Sequence, residues 1–171
     1  MIDAAVVVPV YRTQDGALHV LMIRRNAGGV HGGQIAFPGG KYEPQDETML
    51  DTALREVREE LGISMVKEDV LAELPMEQTR TTGYRVFPYL ARITAPGHWR
   101  VDEREIAELF DMKLTDLTAP GVHDKMMDRL PTWRKAEQVF FYRVGPYRLW
   151  GLSYRILHAL IPRLVAGEWD V

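Results

Sequence analysis

GGKYEPQDETMLDTALREVREELGI, residues 39–63, is the stretch whose reading decides the fold of this 171-residue chain. It begins with two glycines. Leu50, Leu54, Val57 and Leu61 then recur at helical spacing, predicting a helix over residues 47–61 that stops at Gly62. Each helical residue advances about 100°, so Glu56, Glu59 and Glu60 fall within an arc of roughly 100° while the leucine and valine stripe points the other way. Three carboxylates therefore share one polar face. Like charges at these spacings cost only about 0.2–0.5 kcal/mol per pair. Spacing alone thus also describes an ordinary acidic surface, with Arg55 and Arg58 as local ion-pair partners.

Working outward, residues 4–11 are valine-rich and residues 18–24 resume the extended pattern after Asp15-Gly16, which predicts a hairpin opening a sheet. Between Asn26 and Gly40 lie six glycines, a composition that suits a ligand-approaching loop better than a regular element, with a short strand over 35–37. Residues 70–73, 85–93 and 138–144 read as further strands, separated by turn-prone segments such as Thr82-Gly83 and Ala95-Pro96-Gly97. Residues 150–164 close with a second amphipathic helix, in which Trp150 is expected to anchor the packing. Strands with helices at the middle and the end predict a sheet covered by helices.

With 46% hydrophobic residues the chain suits one domain over 1–171. Lysine and arginine number 21 against 24 aspartate and glutamate, a formal charge of -3 that supplies no broad basic field, so nucleic acid is not expected as a partner. A polyanionic small molecule must instead be met locally, by a metal ion or a few arginines. The chain has no cysteine, which excludes disulfides, thiolate metal sites and cysteine nucleophiles. The opening run reads as a strand rather than a signal peptide, and no apolar stretch approaches the roughly 20 residues that span a bilayer. Cytoplasmic location without membrane attachment is the default expectation. A homodimer is expected only on the commonness of two-fold symmetry.

The string over 39–63 resembles the Nudix box: a glycine, five residues, a glutamate, seven residues, then Arg-Glu-hydrophobic-x-Glu-Glu-x-Gly-hydrophobic. Glu47, Arg55, Glu56, Val57, Glu59, Glu60, Gly62 and Ile63 match it, while Gly40 precedes Glu47 by six intervening residues rather than five. The resemblance implies a Nudix fold of class α/β (α+β), a mixed β-sheet sandwiched between α-helices. It also implies hydrolysis of a phosphoric anhydride in a nucleoside diphosphate derivative, with Mg2+ or Mn2+ as cofactor. The implied metal ligands are Glu56, Glu60 and the Gly40 carbonyl, joined by Glu59, all hard oxygen donors. Arg55 is implied to hold a glutamate in position, and Glu47 to support rather than ligate. For the general base the candidates are a helix glutamate or a loop acid; Glu105 is preferred to Glu103 because Glu105-Ile-Ala resembles a recurrent segment of relatives. An exposed acidic turn is the alternative.

HGGQIAFPGG (31–40), TTGYRVFPYL (81–90) and LWGLSYRIL (149–157) resemble the coenzyme A pyrophosphatase branch of that family. The branch splits coenzyme A or its derivatives into adenosine 3',5'-bisphosphate and 4'-phosphopantetheine. Its Leu-Arg pair before the histidine is replaced here by Gly28-Gly29, which removes an arginine able to grip a phosphate bidentately. Arg25, or Arg24, can substitute for it, and His31, Gln34 and Tyr84 are the other candidate substrate contacts, each with an ordinary packing role as the alternative. Two further functions stay open: cleavage of another substrate such as NADH, ADP-ribose or a dNTP, and a non-catalytic nucleotide-binding module.

Overall fold

In the computed structural model the described residues are 1–28, 32–80, 82–94, 99–129 and 133–171. The central strand is β1 (Ile2–Arg12), buried from Val7 to Tyr11 and at Ala4 and Ala5. It is covered on both faces, which is why AVVVPVY is a continuous apolar run rather than an alternating one. A turn closed by Thr13 N–H donating to the Ala17 carbonyl leads into β2 (Leu18–Arg25), and the two pair antiparallel as the sequence predicts. β3 (Ile35–Ala36) lies beside β2, and β4 (Gly39–Lys41) pairs antiparallel with β1. The chain then crosses over through α1 (Met49–Leu61), β5 (Val70–Glu73) and β6 (Glu77–Gln78) to reach β7 (Tyr84–Arg92), which runs parallel to β1 from Ile2↔Tyr84 to Val10↔Arg92. A parallel neighbour requires such a crossover. With β8 (Ile106–Lys113) on β2, these strands form a mixed sheet.

α2 (Leu114–Leu117) leads into a second, three-stranded antiparallel sheet of β9 (His123–Asp128), β10 (Glu137–Val144) and β11 (Tyr147–Trp150), followed by α3 (Gly151–Val165). The pleat of β1 divides the core. Ala5 and Val7 meet Ala53 and Val57 of α1, whereas Val8 and Val10 join Ile156, Leu157, Leu160 and Leu164 of α3. The mixed sheet is therefore sandwiched between helices, as expected.

Three local expectations change. α1 begins at Met49, two residues later than the hydrophobic pattern suggests, because the Thr48 hydroxyl accepts from Asp51 N–H and caps it. Residues 106–113, for which the sequence pattern predicts no strand, form β8; its exposed Ala107, Glu108 and Asp111 hide the strand pattern. β9 and β11 also lacked a legible alternation, since most of β9 is exposed. Thr81 and the turn over 95–97 lie outside the described residues.

Candidate active site

β1 and α1 together press the glycine pair against the helix. Gly40 opposes Ala5 in register, and a β-carbon at residue 40 would lie 2.2 Å from Oε1 of Glu56. At Gly39 a β-carbon would lie 2.2 Å from the Ala5 carbonyl oxygen, and its φ of +152° lies where side chains are strained. Only glycines let the backbone run this close to both the sheet and the carboxylate.

Glu60 is buried at the end of this turn. Gly39 N–H donates to its Oε2 at 2.9 Å and Arg25 Nη1 donates to its Oε1 at 2.8 Å, while Arg25 Nη2 donates to the Gly39 carbonyl at 2.5 Å. Burial pushes the Glu60 carboxyl up to about 7, with Glu56 adding repulsion and Arg25 and the Gly39 N–H opposing it. Glu56 is also raised, chiefly by burial; Arg55 opposes the shift, and the charges of Glu59 and Glu105 add to it.

Arg55 is the hub of the acidic face. Its Nε and Nη2 donate to the two oxygens of Asp46, each at 3.0 Å, and Nη2 also donates to the Lys41 carbonyl at 2.9 Å. Its Nη1 donates to Glu56 at 3.0 Å and Glu59 at 3.1 Å. Asp46 is buried, accepts from Thr52 Oγ1 at 2.8 Å, and its carboxyl is held down to about 2, chiefly by Arg55. Glu47, by contrast, is exposed. The carboxylate that meets Arg55 is thus the one separated from Gly40 by five residues, so the extra residue of the motif lies between Asp46 and Arg55. Counting forward from Gly40 rather than back from Arg55 would have found Asp46.

The turn bearing the loop acids is tied to the same region. Asp102 N–H donates to the Glu60 carbonyl at 2.9 Å, Asn26 N–H donates to the Glu105 carbonyl at 2.8 Å, and Asn26 Nδ2 donates to the Glu103 carbonyl at 2.7 Å. Glu105 directly precedes β8 and is exposed, as is Glu103. No sequence signal singled out Asn26. Gln34 is half-buried and its carbonyl accepts from Arg25 N–H. Tyr84 opens β7, with Lys41 Nζ 5.9 Å from its ring centroid. His31 and Gly29 lie outside the described residues.

The donor chemistry here suits a hard divalent cation. Two buried or half-buried carboxylates and a backbone turn supply oxygen alone; burial raises both acids, and neighbouring carboxylates add to it, Glu56 acting on Glu60 and Glu59 and Glu105 on Glu56, a situation a cation relieves. Among the described residues no three such side chains converge into a ready cage, because Glu60 is turned to Arg25 and Gly39 and Glu59 to Arg55. No helix among them is long and apolar enough to cross a membrane.

A profile of the NUDIX domain matches residues 1–130. The uncharacterized Nudix hydrolase NudL of Pectobacterium atrosepticum is 34% identical over 159 residues, covering 92% of this chain and 80% of the relative. The protein of the same description from Photorhabdus laumondii is 33% identical over 162 residues, covering 92% and 82%. In fold, the chain is similar to a MutT/nudix family protein from Enterococcus faecalis, with a TM-score of 0.71 at 19% identity over 96% of this chain and 62% of that one. It is also similar to the NUDIX domain of Shewanella oneidensis NrtR complexed with ADP ribose, with a TM-score of 0.57 at 17% identity over 69% and 76%. Motif, site and relatives agree, and the chain belongs to the Nudix hydrolase family, whose members hydrolyse phosphoric anhydrides.

Proposed function

We propose that this chain, acting over residues 1–171 as one catalytic unit, hydrolyses the phosphoanhydride of coenzyme A or its derivatives with Mg2+ or Mn2+. The products are adenosine 3',5'-bisphosphate and 4'-phosphopantetheine. The observation that carries the hydrolytic reading is the seating of Glu56 directly on Gly40, beside a buried Glu60. Glu56, Glu60 and the Gly40 carbonyl, with Glu59, are the residues that would hold the metal. Bound there, a divalent cation neutralises phosphate oxygens and acidifies water. Arg55 orients Glu56 and Glu59 while Asp46 fixes Arg55. Water adds to one phosphorus, the bond from that phosphorus to the bridging oxygen breaks, and Glu105 accepts the proton of the attacking water. Arg25, His31, Gln34 and Tyr84 are the side chains proposed to meet substrate, and Arg25 also donates to Glu60 and to the Gly39 carbonyl.

The coenzyme A assignment rests on the three segments over 31–40, 81–90 and 149–157. One observation favours a second reading, another nucleoside diphosphate derivative: Gly28-Gly29 stand where the branch has Leu-Arg. Comparing kcat/KM for coenzyme A, an acyl-coenzyme A, NADH, ADP-ribose and nucleoside triphosphates separates the two. Coenzyme A compounds leading the panel supports the proposal; undetectable turnover of them beside efficient dinucleotide cleavage removes it in favour of the second reading.

A further inference from the structure

A register shift interrupts the pairing of β2 and β8: Arg24 opposes Glu108, but Arg25 opposes Ile106. Such irregularities turn side chains away from the regular pleat. Here Arg25, the last residue of β2, and Asn26, which follows it, reach different parts of the site. Arg25 grips Glu60 and the Gly39 carbonyl, and Asn26 grips the turn over 103–105.

That turn is exposed, and such segments are mobile unless tied down. Within it, Glu105 N–H and Ile106 N–H both donate to the Asp102 carbonyl, and Arg104 closes on the Asp102 carboxylate. Those contacts fold the turn but do not fix it to α1 and β2. Among the described residues its hydrogen bonds to α1 and the segment after β2 are Asp102 N–H to the Glu60 carbonyl and the two of Asn26, one from its backbone to Glu105 and one from its side chain to Glu103, while Ile106 packs beside Ile23 and Leu61 where β8 begins. We infer that Asn26 is a positioning residue, clamping the turn at Glu103 and Glu105 so that Glu105 is held at the head of β8, on the turn bonded to Glu60 of α1. The inference rests on the reading of Glu105 as the general base, and it gives the end of β2 one task in common: Arg25 sets a ligand carboxylate and Asn26 sets the base. Misplacing a reacting group by about 1 Å costs on the order of 100-fold in rate. Losing the side-chain bond, one of these three hydrogen-bonded tethers, is expected to cost about 10-fold by the same argument.

The test is a double-mutant cycle of Asn26→Ala and Glu105→Gln in the Mg2+-loaded enzyme, using the substrate that the wild type cleaves fastest, with Mg2+ affinity by calorimetry and a melting curve for each variant. Asn26→Ser stands in if the alanine variant does not fold. The expected result is a kcat about 10-fold lower for Asn26→Ala, with KM and Mg2+ affinity within about twofold of wild type, and no further loss when Asn26→Ala is added to Glu105→Gln. Wild-type kcat in Asn26→Ala beside a slow Glu105→Gln overturns the positioning role alone. An equal loss in the Glu105→Gln background, or a matching fall in Mg2+ affinity, overturns it in favour of an effect through Arg25 and Glu60. A fully active Glu105→Gln removes the base assignment and the inference together.

Discussion

Glu56 rests on Gly40 so closely that a β-carbon at residue 40 would sit 2.2 Å from its Oε1, whereas the same atom on Gly39 would strike the backbone of Ala5 and Val6. The two glycines therefore fail differently. In Gly40→Ala the obstacle is the end of a flexible side chain, which swings aside, so the fold survives with a stability change of about 1 kcal/mol. The displaced carboxylate then loses its place, and Mg2+ affinity and kcat fall by about 10- to 100-fold. Gly39→Ala meets main chain at a φ of +152° and costs more than about 4 kcal/mol. Melting curves beside Mg2+ titrations check the contrast; equal melting temperatures in the two variants would contradict it.

Asp46 braces Arg55 from a buried position, so removing it strands part of a guanidinium. Asp46→Ala should destabilise the protein by about 3 kcal/mol and lower activity by about 10- to 100-fold. Glu47→Ala, at an exposed neighbour, should change stability by less than about 0.5 kcal/mol. Denaturant unfolding of the two variants decides which carboxylate supports the arginine.

The same residue sets an acid limit. Its carboxyl is depressed to about 2 from an ordinary value of 3.8, so its stabilisation is present above about pH 4 and is lost as pH falls toward 2. Asp46→Asn should flatten that part of the stability profile.

Glu60 has the opposite sign. Its carboxyl is raised from 4.5 to about 7, so in the metal-free protein its contribution is fully present below about pH 4.5 and is lost as pH rises through 7. A cation needs the carboxylate, so Mg2+ binding should expel about half a proton at pH 7 and close to one near pH 6, and tighten as pH rises from about 6 to 8. Calorimetry in two buffers of different ionisation enthalpy measures the proton; binding heats independent of buffer would contradict the linkage.

Helix α1 and its acidic face were legible because a 3.6-residue period and a terminal glycine depend on local sequence alone. The paired strands β1 and β2 were legible for the same reason, an apolar run on either side of a turn. Strand β8 was not, since its partner β2 lies far away along the chain and its outward face carries Glu108 and Asp111. In the site, helical spacing put Glu56, Glu59 and Glu60 on one face and the motif resemblance proposed their role, whereas Asp46 was reachable only by counting forward from Gly40 and Asn26 carried no sequence signal. Their roles depend on which groups the fold brings against them: Arg55 from the next helix, and the turn over 103–105 from the far side of the crossover.

The most direct measurement is the mass of the products when the purified chain is given coenzyme A with and without Mg2+, alongside Glu60→Gln. The account predicts adenosine 3',5'-bisphosphate and 4'-phosphopantetheine in equal amounts, formed only with the cation and lost in the variant. Intact coenzyme A under conditions where NADH or ADP-ribose is cut, or products that persist undiminished in Glu60→Gln, would contradict it.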